Sequence, residues 1–463
     1  MQVPGLKPLL SDGSIAQPEG QGHCPVRLPF RSLLLLMAAQ DRLDPAAQDA
    51  VRADTDFYCH PSVGNDMAFL RCLRRGCFGL ILASVLVSTL VGGCSRRHFP
   101  RYPTNYRQYA WVTNGGSNTV TVLDLVNMQV AGTIAVGANP TAIAVNPQRD
   151  EVYVANSGGS SISVIDAKTN RVAVTIGAHR QPSSIDVDSV GQRAYVANAG
   201  SNNVSVIDLT KRREIAAIGV GEAPADARIS PDGDTLVVAN KGSGSVSVID
   251  AHTLALRAAF SGCPEASDTV ILPDSSRAFV ACTGGRQVMV IGLARAHSQL
   301  PAERADHLLD FLDVGQTPVH LALKPDGGEI FVSNFGGDTV SEIATSSAEV
   351  GGAYLIGEHP LGGVVSADDS TLWVSNFAAN SVAAYSIDDG KLVNTVRVGD
   401  GPGPLAFSDD GFLLLALDGL SGDVSVLRTI SYTPKGEPVT GSLFTVLSAG
   451  KHPNAIAVMG FKS

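Results

Sequence analysis

From residue 109 onward the chain alternates short β-branched runs with clusters of Gly, Asn, Ser and Asp, and the runs return in a fixed phase. One column reads WVTN (111–114), YVAN (153–156), YVAN (195–198), VVAN (237–240), FVAC (279–282), FVSN (331–334), WVSN (373–376) and LALD (415–418). The last residues of these segments stand 42, 42, 42, 42, 52, 42 and 42 apart. A second column keeps step: Val120 to Asp124, Ile162 to Asp166, Val204 to Asp208 and Val246 to Asp250, then weaker versions ending at Gly292, Ala344, Ser386 and Arg428. Each unit holds four short strand-forming runs, such as SIDVDSVG, RAYVANAGSNN, VSVIDLTK and EIAAIGVGEAP. The turns after the WVTN-type runs (GGSN, GGSS, GSNN, GSGS, GGDT) carry residues that tolerate positive φ. The aspartate that closes each third run is placed to cap the following turn.

Four strands in a period of about 42 residues make one propeller blade. The fold class expected is therefore all-β: a single β-propeller over 109–463, of eight four-stranded blades, with seven as the alternative count. The first complete run, 111–114, is a second strand, and the terminal Asn454 to Met459 matches innermost strands such as Ala142 to Asn146. The C-terminal strand is thus expected to complete the first blade and remove the free sheet edges. With these repeats in view, the chain resembles the YVTN-type β-propellers of bacterial and archaeal surface and periplasmic proteins. The resemblance covers residues 109–463. It implies a binding protein more readily than an enzyme, although related propellers include lactonase-like enzymes and haem d1-type reductases.

The N-terminal hundred residues follow other rules. From Met67 the chain reads MAFLRCLRRGCFGLILASVLVSTLVGGC, with Arg71, Arg74 and Arg75 ahead of an apolar run from Phe78 to Val91. Such a run is short for a spanning helix and has the layout of an export signal. Val91-Gly92-Gly93-Cys94 resembles the bacterial lipobox, which implies lipidation (diacylglycerol and palmitate) at Cys94. Residues 67–94 are accordingly read as a lipoprotein signal peptide and 95–108, basic and containing two prolines, as a tether. Residues 1–66 show no sustained period and are read as a non-native or unstructured extension, with Met67 as the working start. The implied location is the cell envelope, lipid-anchored on the outer-membrane or periplasmic side or at the surface.

Composition narrows the partners. The net charge is −10, so the summed field repels phosphate backbones, and no nucleic-acid partner is expected. Of seven cysteines only Cys263 and Cys282 lie beyond residue 95, without zinc spacing and without CxxCH. These two flank one hairpin and form a disulfide candidate in an oxidising compartment. No nucleophile elbow, phosphate-binding glycine loop or metalloprotease helix occurs. No cofactor is identified.

Candidate ligand-binding residues come from columns that break the repeat. Two residues into the innermost strands the column reads Ala142, Ser184, Asp226, Asp268, His320, Gly362, Pro404 and Ala455. Asp226, Asp268 and His320 thus fall on three successive blades and are weak candidates for a metal, a polar ligand or acid–base work. Arg228 and Asp186 lie two residues further along neighbouring strands, and the competing reading is a structural charge network. After the WVTN-type motif, blades six and seven carry Phe335 and Phe377, which are candidates to anchor a partner. His359 enters blade seven on the same side. Ten extra residues in blade five, between Ala294 and Leu312, are expected to form a short surface helix from Pro301 to Asp310. The function these features imply is a lipid-anchored binding or assembly scaffold for a protein, glycan or other envelope partner. The alternatives are a periplasmic lactonase-like or metal-binding propeller enzyme that uses Asp226, Asp268 and His320, and a surface-coat structural protein.

Overall fold

The computed structural model describes residues 100–188, 190–295, 304–433 and 437–462. The signal segment and Cys94 lie outside the described residues. No described helix is long and apolar enough to cross a membrane.

Eight four-stranded antiparallel sheets form the ring. Blade 2 shows the plan, with strands Pro140–Asn146, Glu151–Asn156, Ser161–Asp166 and Arg171–Gly177 running from the channel outward. Blade 1 joins the chain ends. Its strand Tyr106–Asn114 pairs on one side with Thr119–Asp124 and on the other with the C-terminal Pro453–Lys462. That closure is the one expected from the repeat phase. The first strand starts at Tyr106, so the last residues of the expected tether are already sheet.

The core sits between blades. The first residue of each WVTN-type motif packs on the second strand of the next blade: Trp111 against Val152 and Val154, Tyr153 against Ala194 and Val196, Phe331 against Leu372 and Val374. Trp373 and Leu415 continue the series, the latter against Ala110 and Val112 of blade 1. Such side chains bury a large apolar area each, and together they weld neighbouring sheets into a ring. Trp111 also donates its indole N–H to Asn170 of blade 2 at 3.0 Å.

Two polar columns hold blades 1 to 4. The Asn that ends the second strand is fully buried and donates to hydroxyls of the third, as Asn156 does to Ser163 at 3.0 Å and Asn240 to Ser247 at 3.0 Å. The Asp that ends the third strand accepts N–H groups of the following turn, as Asp124 does from Asn127 at 2.9 Å and Asp250 from Thr253 at 2.7 Å. The Asn amide N–H groups and the Asp carboxylates find these partners within their own blade, which fixes strand register, while the Asn156 and Asn240 Oδ1 atoms are buried without a partner.

Blade 5 departs twice. Its outer strand is His307–Asp313, so the helix expected from Pro301 to Asp310 is not formed over its described half. The alternating run from His307 to Asp313 pairs instead with Gln287–Gly292, because blade 5 lacks any other fourth strand. Residues 296–303 of the insertion lie outside the described ones. Cys282 occupies the Asn column, and it is joined by a disulfide to Cys263 in the loop entering the blade.

Candidate functional site

Each innermost strand has one edge paired to the second strand and one edge facing the channel, where no further strand supplies hydrogen bonds. Unpaired backbone groups there need partners. The polar side chains singled out in the sequence provide them, each reaching the next blade. Ser184 accepts the N–H of Ala227 at 3.0 Å, Asp186 that of Ile229 at 3.0 Å, Asp226 that of Thr269 at 3.2 Å, and Asp268 that of Leu321 at 2.8 Å. His320 continues the chain by donating Nε2–H to the carbonyl of Gly363 at 2.9 Å.

Charge is arranged along the same line. Arg228 Nε donates to Asp226 at 3.1 Å, and His320 Nδ1 lies 2.9 Å from Asp268. A carbonyl can only accept, so Nε2 of His320 carries a proton. With Asp268 facing Nδ1, the ring is held as a doubly donating imidazolium. Burial pushes the pKa of His320 down, but Asp268 more than offsets it and the net direction is up. Burial likewise pushes Asp268 up, yet the imidazolium, Arg228 and the Leu321 N–H hold it below the usual carboxylate range. Asp226 goes the other way. Burial, aided by Asp268 and Asp186 and opposed by Arg228, pushes it up to about 6.

The structure therefore brings Asp268 and His320 together and places Asp226 one blade away, in a belt that joins blades 3 to 7. Both nitrogens of His320 are engaged, which leaves none to ligate a metal or accept a proton. Among the described residues no three His, Cys, Asp or Glu side chains converge in the manner of a metal shell. A cavity of about 640 Å³ opens at blades 5 and 6, beside the turns between their first two strands. Its charged groups are already engaged, Asp274 with Arg295 at 2.7 Å and Arg277 with the carbonyl of Thr345 at 2.6 Å.

The second set of candidates gathers beyond the entry end of the innermost strands, on the face formed by their entry loops and by the turns between second and third strands. Phe335 and Phe377, on adjacent blades, have ring centroids 6.1 Å apart, and the His359 ring stands edge-on to Phe335 at 4.6 Å. All three are half-buried. Their backbones are tied: the Phe377 N–H donates to the His359 carbonyl at 3.0 Å, and Asp338 accepts the His359 N–H at 2.8 Å. His359 is left-handed (φ 53°), a conformation shared by Asn139, Gln181, Ala223, Glu265, Thr317 and His452 at the equivalent turn. The position is thus dictated by the turn, and the imidazole is what blade 7 adds to it. Leu420 of blade 8, 65% exposed, extends the apolar arc. Between it and Phe377 lies Gly401, also left-handed, where a Cβ would come within 2.7 Å of Leu420 and 3.0 Å of Phe377. Sequence columns missed Leu420 because it stands one residue past the aromatic position; the signal was a bulky apolar residue in a turn otherwise made of small ones.

Comparisons agree with the architecture. A family model described as a YNCE-like beta-propeller matches residues 98–228. No curated protein matches the chain. Among solved structures, the dihydro-heme d1 dehydrogenase NirN in complex with DHE is similar at 16% identity, covering 78% of this chain and 77% of that one, with a TM-score of 0.58. A protein of unknown function from Desulfotomaculum acetoxidans is similar at 15% identity over 76% of this chain and 98% of that one, with a TM-score of 0.51. A protein from Bacteroides fragilis assigned as a 6-phosphogluconolactonase is similar at 14% identity over 78% and 99%, with a TM-score of 0.51. At such identities the shared property is the fold. Strand topology makes this chain a β-propeller, and the matching family model and structural neighbours agree with that fold.

Proposed function

We propose that this propeller is a lipid-anchored scaffold of the cell envelope that binds a protein or glycan partner through the face bearing Phe335, His359 and Phe377. The observation that carries the reading is the aromatic cluster itself, built by two adjacent blades and extended by Leu420. In the other blades the same turns present Gly, Ser, Ala, Lys or Thr, so the rings are not a requirement of the fold. Partly exposed aromatic side chains are frequent carriers of binding energy.

The described chain enters the propeller on the face away from this cluster. Tyr102 donates its hydroxyl to Asp410, in the turn between the first two strands of blade 8, on the face opposite the aromatic cluster. The anchor reading rests on Val91 to Cys94. Expressed from Met67, the chain is expected to incorporate labelled palmitate and to lose that label on Cys94→Ala; equal labelling of the variant would remove lipidation from the account.

The enzyme alternative rests on Asp226, Asp268 and His320, whose polar atoms serve the inter-blade belt. The binding role is tested by crosslinking capture of the partner from envelope extracts with the wild-type chain and with Phe335→Ala/Phe377→Ala.

A further inference from the structure

A cavity of about 250 Å³ lies in the channel wall at blades 4 to 6. It runs from the level of Asp268 and His320 toward the face opposite the aromatic cluster. Its lining divides in two. Arg228, Asp268 and His320 form one side, and Ile229, Ile271 and Leu323 give an apolar wall.

The hydrogen-bonding capacity left over on the polar side is one-sided. Asp268 accepts from the N–H of Thr269 on one oxygen and from His320 and Leu321 on the other. His320 donates both ring protons. Arg228 differs. Its Nε is fixed on Asp226, its side chain is 45% exposed, and neither Nη group bonds a described residue. Arg228 lines the cavity, and its two Nη nitrogens, in one plane with Nε, have no acceptor among the described residues. The charged groups of the lining are two cations and one anion. Asp268 pairs with His320, and Arg228 pairs through Nε with Asp226, which lies outside the lining, so what Arg228 has left to offer is its two Nη groups.

A guanidinium fork held by its Nε matches a carboxylate in a two-point contact, which a point-like cation does not require. The wall of Ile229, Ile271 and Leu323 adds apolar contact a few ångströms away, and the cavity is below the size that takes drug-sized ligands. We propose that this cavity binds a small organic carboxylate, its carboxylate on the Arg228 fork and its short apolar body against Ile229, Ile271 and Leu323. The site is independent of the aromatic face.

The test uses the whole propeller-bearing chain and three probes of equal length: hexanoate, hexanol and hexylammonium, titrated by calorimetry and followed by ligand-observed NMR. Hexanoate is expected to saturate at one site, and the neutral and cationic probes to bind at least about tenfold more weakly. Arg228→Gln should weaken hexanoate by about tenfold or more, with circular dichroism confirming the fold. Leu323→Trp fills the cavity without touching a charge, so it should abolish binding even if the Arg228 variant does not fold. Equal binding of hexanol, tighter binding of hexylammonium, unchanged hexanoate binding in either folded variant, or no saturation by hexanoate would each overturn the proposal.

Discussion

At the scale of single residues, most polar groups that look functional in the sequence are bound to the problem of closing a ring. Asp226, Asp268 and His320 stand where the channel edge of each innermost strand lacks a partner, and each ties its blade to the next. Their alignment in one column was legible from the repeat phase. Their role was not, because a side chain reaching a backbone group 43 or 53 residues away depends on the free edge, which only the closed ring creates. The pairing of His320 with Asp268 gives a direct test. His320 sits above its ordinary pKa and Asp268 below, so the contribution of the pair is full above the usual carboxylate pKa and below the usual histidine pKa. It is lost as pH falls through the Asp268 value or rises through that of His320. In Asp268→Asn, NMR titration should show the His320 pKa falling below the ordinary histidine value of about 6.5, because burial and Arg228 then outweigh the Gly363 carbonyl. A His320 pKa that stays raised in the variant would contradict the imidazolium assignment.

The element scale is where sequence and structure agree most closely. The WVTN-type column predicted second strands, and their first residues turn out to be the wedges between blades. The failure was local: His307 to Asp310 follow a composition suited to helix, yet the open edge of Gln287–Gly292 pairs with them, and a sheet edge outweighs helical propensity. The disulfide of blade 5 has a cause visible only in three dimensions. In other blades a glycine packs directly on the Asn of the second strand: a Cβ on Gly137 would lie 2.6 Å from Asn156, and one on Gly450 2.6 Å from Asn114. Cys263 and Cys282 stand at those same two positions, so the close approach that elsewhere demands glycine here brings two sulfurs together. Both are fully buried. Cys263→Ala/Cys282→Ala should lower stability in urea unfolding by about 3 kcal/mol. Cys263→Gly/Cys282→Asn, which restores the pair used by other blades, should recover part of that loss. Equal loss in the two variants would show that the Gly–Asn contact contributes nothing.

For the whole molecule, the repeat count and the C-terminal closure were legible because eight copies share one register. The placement of function was legible only in part: Phe335, Phe377 and His359 were each visible as departures from a column, but their meeting on one face follows from the ring, and Leu420 joins them only in space. This face is the proposed binding surface, and the described chain enters on the opposite face, at Tyr102. The most direct measurement is crosslinking capture of the partner with three forms of the chain: wild type, Phe335→Ala/Phe377→Ala, and Val190→Ala, whose exposed side chain lies on the opposite face. Recovery is predicted to fall by about tenfold or more in the double variant, as loss of two hot-spot rings requires, and to hold in Val190→Ala. Undiminished recovery with both rings removed, or loss with Val190 alone, would contradict the assignment of the binding face.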